Sequence, residues 1–225
     1  MKKVMLICGS PRTEEKTASA GFLAHVEAAL KGPDFEKRRI DVRRSLKNGP
    51  EAEYAAMREA DAFVLAFPLY YFCLPGLLMR FLEDYEKDCR EHGRQQKPVK
   101  IYAVVNCGFP EPEINAEAVR VVGCFSRHIG ARFRFGVMIG GGPMVSAAEG
   151  AGPVKKAYGE LEKAAADIAG DIRGEAVPTL ENVLIRPDFP RRLYFFLGDM
   201  GWKRQAKQNG LKKADLYRRP YQKTE

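Results

Sequence analysis

The chain has 225 residues, 45% of them hydrophobic and 29% charged, which is the balance of a globular protein of one large domain, or one domain plus an appendage. No apolar run reaches the roughly 18–20 residues of a membrane span. The apolar run at the start ends at Gly9-Ser10-Pro11, too soon for the core of a signal peptide, so a first β-strand is the expectation there.

The net charge of +8 is unevenly placed: residues 186–225 carry +7 and the other 185 residues carry +1. The body is nearly neutral and the tail is basic. The five cysteines, Cys8, Cys73, Cys89, Cys107 and Cys124, are scattered and form no CxxC pair. Zinc and iron–sulfur ligation are therefore not expected, and reduced thiols in a cytoplasmic protein are. The three histidines, His25, His92 and His128, have no metal-ligand spacing.

In chain order, Val4–Cys8 is a short continuous apolar run, as in a strand buried on both faces. Thr17 to Leu30 has helical spacing through Phe22, Val26 and Leu30, and Gly32-Pro33 stops it. Arg39–Val42 is a weaker strand and Glu51–Glu59 a short helix. Ala62–Phe67 is a strand, and Pro75 opens a helix carrying Leu77, Leu78, Phe81 and Leu82. Val99–Val105 is a strand, Ile114–His128 a helix, Phe133–Ile139 a strand and Val154–Ile172 a long Ala-rich helix. The Pro-containing stretch 177–190 reads as a connector to the tail. Strands alternate with helices five times, which predicts a parallel α/β sheet covered on both faces. Ligands of such sheets bind beyond the carboxyl ends of the strands, in the following loops.

Three of those loops have the composition of a binding site. Gly9 to Ser19 joins a strand to a helix N-terminus and adds Ser10, Arg12, Thr17 and Ser19, a donor set that can hold a phosphate. The simpler reading is that Thr17 only caps the helix and Ser10 only shapes the turn. No P-loop lysine pattern and no GxGxxG are present, so nucleoside triphosphates and ordinary dinucleotide folds are disfavoured. Phe67 to Gly76 holds Tyr70-Tyr71-Phe72 between Pro68 and Pro75. These aromatics either form a wall for a planar ring or pack in the core or at a subunit contact. In Asn106-Cys107-Gly108-Phe109-Pro110-Glu111, the glycine and backbone amides can approach a ring edge. Cys107 as a nucleophile lacks a nearby histidine base. The run Gly140–Gly142 reads either as a plain turn or as room for a second substrate.

Together, the GSPR…T/S loop, the P-L-Y-Y…LPG loop and the NCGFPE segment resemble the flavodoxin-like NAD(P)H-dependent FMN reductase family, over roughly residues 1–172. The resemblance implies a doubly wound five-stranded parallel sheet of order 2-1-3-4-5, with residues 1–175 as the FMN-binding domain and 176–225 as a partly helical extension packing on the body or on a partner subunit. It implies FMN bound by its phosphate at Ser10, Pro11, Arg12, Thr17, Ala18 and Ser19. The isoalloxazine would lie beside Pro68, Leu69, Tyr70 and Tyr71, and its pyrimidine edge beside Asn106, Cys107, Gly108 and Phe109. NAD(P)H is the implied co-substrate and a quinone, flavin, nitro compound or other small molecule the acceptor, with FMN as the reactive group and no catalytic side chain. A homodimer is also implied.

Residues 189–206 carry Leu193, Phe196, Leu197 and Met200 at helical spacing, with Tyr194, Phe195 and Trp202 off that stripe. Such a helix seeks burial against its own body or a partner; the alternative is an anchor on anionic lipid through Arg191, Arg192, Lys203 and Arg204. Two further functional readings stand beside the reductase: a flavodoxin-type one-electron carrier, disfavoured because carriers are usually acidic, and a membrane- or nucleic-acid-binding module built on the tail, where nucleic acid lacks a recognisable reader fold.

Overall fold

The computed structural model describes residues 1–12, 17–93, 97–175, 181–219 and 221. The expected connector is thus described only from residue 181 onward, and residues 13–16 of the first loop lie outside the described set. The chain divides into two compact units, Met1–Asp188 and Phe189–Glu225.

The first unit is a doubly wound α/β layer structure of flavodoxin-like type. Its strands are β1 (Lys2–Cys8), β2 (Phe35–Asp41), β3 (Ala62–Pro68), β4 (Lys100–Asn106), β5 (Arg132–Ile139) and β6 (Val183–Ile185). Its helices are α1 (Ala18–Ala29), α2 (Val42–Asn48), α3 (Glu51–Arg58), α4 (Gly76–His92), α5 (Ala116–His128), α6 (Gly142–Ala147) and α7 (Lys155–Arg173). All strand pairs are parallel, in the order 2-1-3-4-5-6.

The sheet therefore has six strands where five were expected. β6 pairs with β5 from Val137↔Val183 to Ile139↔Ile185, inside the stretch read as a connector. Three residues are too few to show a period, and only Ile185 of them is buried. Two contacts from outside the strand pairing hold this edge: Gly136 N–H donates to Asn182 Oδ1 at 2.7 Å, and Gly140 N–H donates to Ile185 C=O at 3.0 Å.

Alternation along each strand splits the core into two layers. Val4, Leu6, Val64, Ala66, Val104 and Val137 face α1 and α7. Met5, Ile7, Phe63, Leu65, Phe67 and Ile101 face the opposite side, under α2 to α5. Both layers are apolar, so the central strands β3 and β4 read as nearly continuous hydrophobic runs, whereas the edge strand β2 is mostly exposed and charged.

One polar cluster is built into this frame. Asp171 of α7, only 3% exposed, accepts from Tyr102 Oη at 2.6 Å and from Arg134 Nε and Nη2 at 2.7 and 2.9 Å. Lys100 Nζ lies 3.1 Å from the same carboxylate. Burial alone would raise the Asp171 carboxyl; the donors from Arg134, Tyr102 and Lys100 outweigh it and bring it down to about 2.

Candidate active site

In the order 2-1-3, the chain leaves β1 for β2 on one side and then crosses to β3 on the other. The crevice of a doubly wound sheet opens at that switch, beyond the carboxyl ends of β1 and β3.

β1 ends at Cys8, and the next amide, Gly9 N–H, donates to Ala66 C=O at 2.8 Å. A Cβ on Gly9 would stand 2.6 Å from Leu78 Cδ2, so the absent side chain is what lets α4 pack this close. Ser10 is buried and its Oγ accepts the Arg12 N–H at 3.3 Å. Thr17 is the N-cap of α1, with Oγ1 accepting from Ala20 N–H at 3.2 Å. The N–H groups of Ala18 and Ser19 have no helical carbonyl to donate to within α1, and the positive end of the helix dipole adds to them. The capping reading of Thr17 holds and coexists with its position in the cleft.

After β3, Leu69 N–H donates to Asn106 C=O at 2.8 Å. Tyr70 and Cys73 then exchange both backbone hydrogen bonds, at 3.0 and 2.9 Å, around a two-residue turn. The two central residues, Tyr71 and Phe72, have φ of 49° and 62°. Tight hairpins of this kind favour glycine or asparagine there. Two aromatics in the left-handed region cost about 1–2 kcal/mol each. Tyr71 is fully exposed at the tip.

After β4, Asn106 is buried, and its Nδ2 donates to Ser19 Oγ at 2.8 Å and Phe67 C=O at 3.2 Å. Cys107 N–H donates to Ile139 C=O at 3.1 Å. Burial pushes the Cys107 thiol up, so at neutral pH it is a protonated, packed side chain beside Asn115 and backbone carbonyls rather than a nucleophile.

The loop after β5 completes the site. The glycine run is a close-packing device: a Cβ on Gly140 would sit 2.3 Å from Pro110 O, and one on Gly142 2.7 Å from the Asn106 side chain. It leads into α6, whose Pro143, Ser146 and Ala147 line the cleft. These three were not among the sequence-based candidates. The Gly-Gly-Gly-Pro sequence was their one signal, and it reads equally as a plain turn.

The resulting cleft has a volume of about 420 Å³, within the range of small-molecule sites. Ser10, Arg12, Thr17, Ala18, Ser19, Pro68, Leu69, Tyr70, Asn106, Cys107 and Gly108 line it. Pro11, Tyr71 and Phe109 do not. Phe109 instead holds the neighbouring loop, its C=O accepting from Gly141 N–H at 2.6 Å.

One end of the cleft is a set of hydroxyls, helix amides and a guanidinium, which suits a dianionic phosphate. The other end is Pro68, Leu69 and the half-exposed Tyr70, an apolar wall suited to a planar ring. Between them, a Cβ added at Gly108 meets no atom within 4 Å. This donor set and open floor fit a flavin mononucleotide. Among the described residues, no group of three or more His, Cys, Asp or Glu could hold a metal ion, and no helix is long and apolar enough to cross a membrane.

Residues 2–119, more than half of the chain, match the family of NADPH-dependent FMN reductases. The chain belongs to that family: it is an NAD(P)H-dependent flavin oxidoreductase with FMN as cofactor and NAD(P)H as electron donor.

Solved structures agree with the fold. An azoreductase from Bacillus anthracis is 20% identical, with a TM-score of 0.52, over 76% of this chain and 100% of that one. An NADH:FMN oxidoreductase in its apo form is 18% identical, with a TM-score of 0.57, over 86% and 98%. An NAD(P)H:quinone oxidoreductase from Methanothermobacter marburgensis is 16% identical, with a TM-score of 0.56, over 74% and 98%. No curated protein matches the chain.

Proposed function

We propose that the cleft between the loops after β1, β3, β4 and β5 is the FMN site, and that the enzyme uses it to reduce a small planar acceptor such as a quinone or a flavin. The single observation carrying this reading is the joining of a donor-rich helix terminus and an apolar aromatic wall in one cleft. When bound, FMN supplies the hydride-accepting and electron-donating chemistry between the nicotinamide and the acceptor.

The chain's own residues bind and orient. Ser10, Arg12 and Thr17, with the amides of Ala18 and Ser19, take the phosphate. Pro68, Leu69 and Tyr70 hold the ring by its face, and Gly108, where an added Cβ would meet no atom within 4 Å, leaves room for the ring edge. Ser146 adds a hydroxyl from the opposite wall. Tyr71 and Phe72, held outward on the strained turn, stand at the rim, where an acceptor or a second copy of the chain would meet them. A homodimer in which the partner covers this tip is part of the same reading.

Titration with FMN and with riboflavin tests the site. Tight FMN binding that weakens about tenfold in Arg12→Ala, with riboflavin binding unchanged, is the expected result for one lost charged hydrogen bond. Equal effects on both ligands would reject the phosphate assignment.

A further inference from the structure

The second unit, Phe189–Glu225, is built on α8 (Arg191–Gln208), followed by a 3₁₀ turn at Lys213–Tyr217. Of the α8 residues only Ala206 is buried. Leu193, Phe196, Leu197 and Met200 are 41%, 59%, 42% and 49% exposed. Their spacing of i, i+3, i+4 and i+7 puts them on one stripe. Continuing the same spacing, Lys203, Arg204 and Lys207 extend that stripe with cations. That stripe is thus hydrocarbon along its first half and basic along its second.

The charge of the unit is one-sided as well. Residues 189–225 hold ten basic and three acidic side chains. Asp199 pairs with Lys203, and Asp215 with Arg218 at 2.8 Å. Arg192, Arg204, Lys207, Lys212 and Lys213 have no ion-pair partner among the described residues. An 18-residue helix with two internal glycines is marginal in water by itself. Its stability calls for a surface that accepts both hydrocarbon and positive charge.

We propose that α8 is an interfacial helix that docks the enzyme on an anionic lipid surface. Leu193, Phe196, Leu197 and Met200 enter the boundary of the acyl region. Arg192, Arg204 and Lys207 meet phosphate headgroups. A second copy fits less well, because two units of this charge repel across a self-paired face. Single-stranded nucleic acid also fits less well, because the one ring on the stripe, Phe196, stands among Leu193, Leu197 and Met200, hydrocarbon that a sugar–phosphate backbone does not bury.

Sedimentation of the full-length enzyme with vesicles tests this. Binding is expected to vesicles of mixed phosphatidylcholine and phosphatidylserine, falling at least about tenfold at ~0.5 M salt and absent with phosphatidylcholine alone. The double variants Phe196→Glu/Met200→Glu and Lys203→Glu/Arg204→Glu should each lose at least about tenfold in vesicle binding while NADPH oxidation is unchanged. Three results would overturn the proposal: no salt-sensitive binding to the mixed vesicles; binding to an RNA homopolymer but not to vesicles; or self-association abolished by Phe196→Glu/Met200→Glu in a protein that ignores lipid.

Discussion

Asn106 at the end of β4 donates through Nδ2 to Ser19 Oγ, 2.8 Å away in the first turn of α1. The same nitrogen lies 3.2 Å from Phe67 C=O at the end of β3. One buried amide therefore ties three of the elements around the cleft, and Asn106 and Ser19 both line it.

Truncating that amide should cost both stability and cofactor. Asn106→Ala leaves Ser19 Oγ and Phe67 C=O without this donor, at about 1–3 kcal/mol. The unfolding free energy from urea titration should fall by that amount and FMN affinity should fall with it. A variant as stable as the parent would show that the link carries no energy.

The glycines of the site separate packing from binding. Gly140→Ala pushes a Cβ to 2.3 Å from Pro110 O, a backbone atom that cannot swing aside. It should destabilise by about 1–3 kcal/mol. Gly108→Ala meets nothing within 4 Å, so its melting temperature should hold while FMN affinity drops, because the added methyl enters the cleft. Titration calorimetry and thermal melts on the two variants read this difference directly.

The Tyr71-Phe72 turn should be more stable with less side chain. At φ 62°, Phe72→Gly removes left-handed strain and gives back part of the gain as chain entropy. The net gain should be about 0.5–1 kcal/mol, seen as a rise in Tm of roughly 1–3 °C. The KM for a planar acceptor should rise if the rim contributes to its binding. A lower Tm would mean that Phe72 makes contacts worth more than its strain.

Acid should unlock the Asp171 cluster. Its folded value, about 2, lies below the ordinary 3.8, so its contribution is present above that ordinary value and is lost as pH falls from 3.8 through about 2. The contribution at neutral pH is about 2 kcal/mol. Asp171→Asn should be less stable than the parent at neutral pH, and the gap should close by about that amount as the medium is acidified to about pH 2. A gap independent of pH, measured by urea unfolding, would remove the carboxylate from the account.

Much of the body was legible because buried parallel strands are apolar on both faces. Ala62–Phe67 and Val99–Val105 announce themselves, and Thr17 marks the start of α1 by the chemistry of a cap. Short elements were not legible in the same way. α2, a single helix of seven residues, and the three-residue β6 have no room to show a period. The fourth wall of the cleft was hidden for another reason: Pro143, Ser146 and Ala147 matter by where Gly140 and Gly142 let the chain pass, and sequence spacing does not encode that distance.

What the sequence determined by itself was the alternation of elements, hence a covered parallel sheet, and the residue types of three loops that resemble one family. Hydrophobic periodicity and turn chemistry are local properties, so they can be read along the chain. The tertiary structure decided which loops meet. It turned Ser19 toward Asn106, left Tyr71 and Phe109 outside the cleft lining, and set Ser146 into it. Those outcomes depend on strand order and on backbone approaches of a few ångströms between residues far apart in sequence, which no local pattern carries.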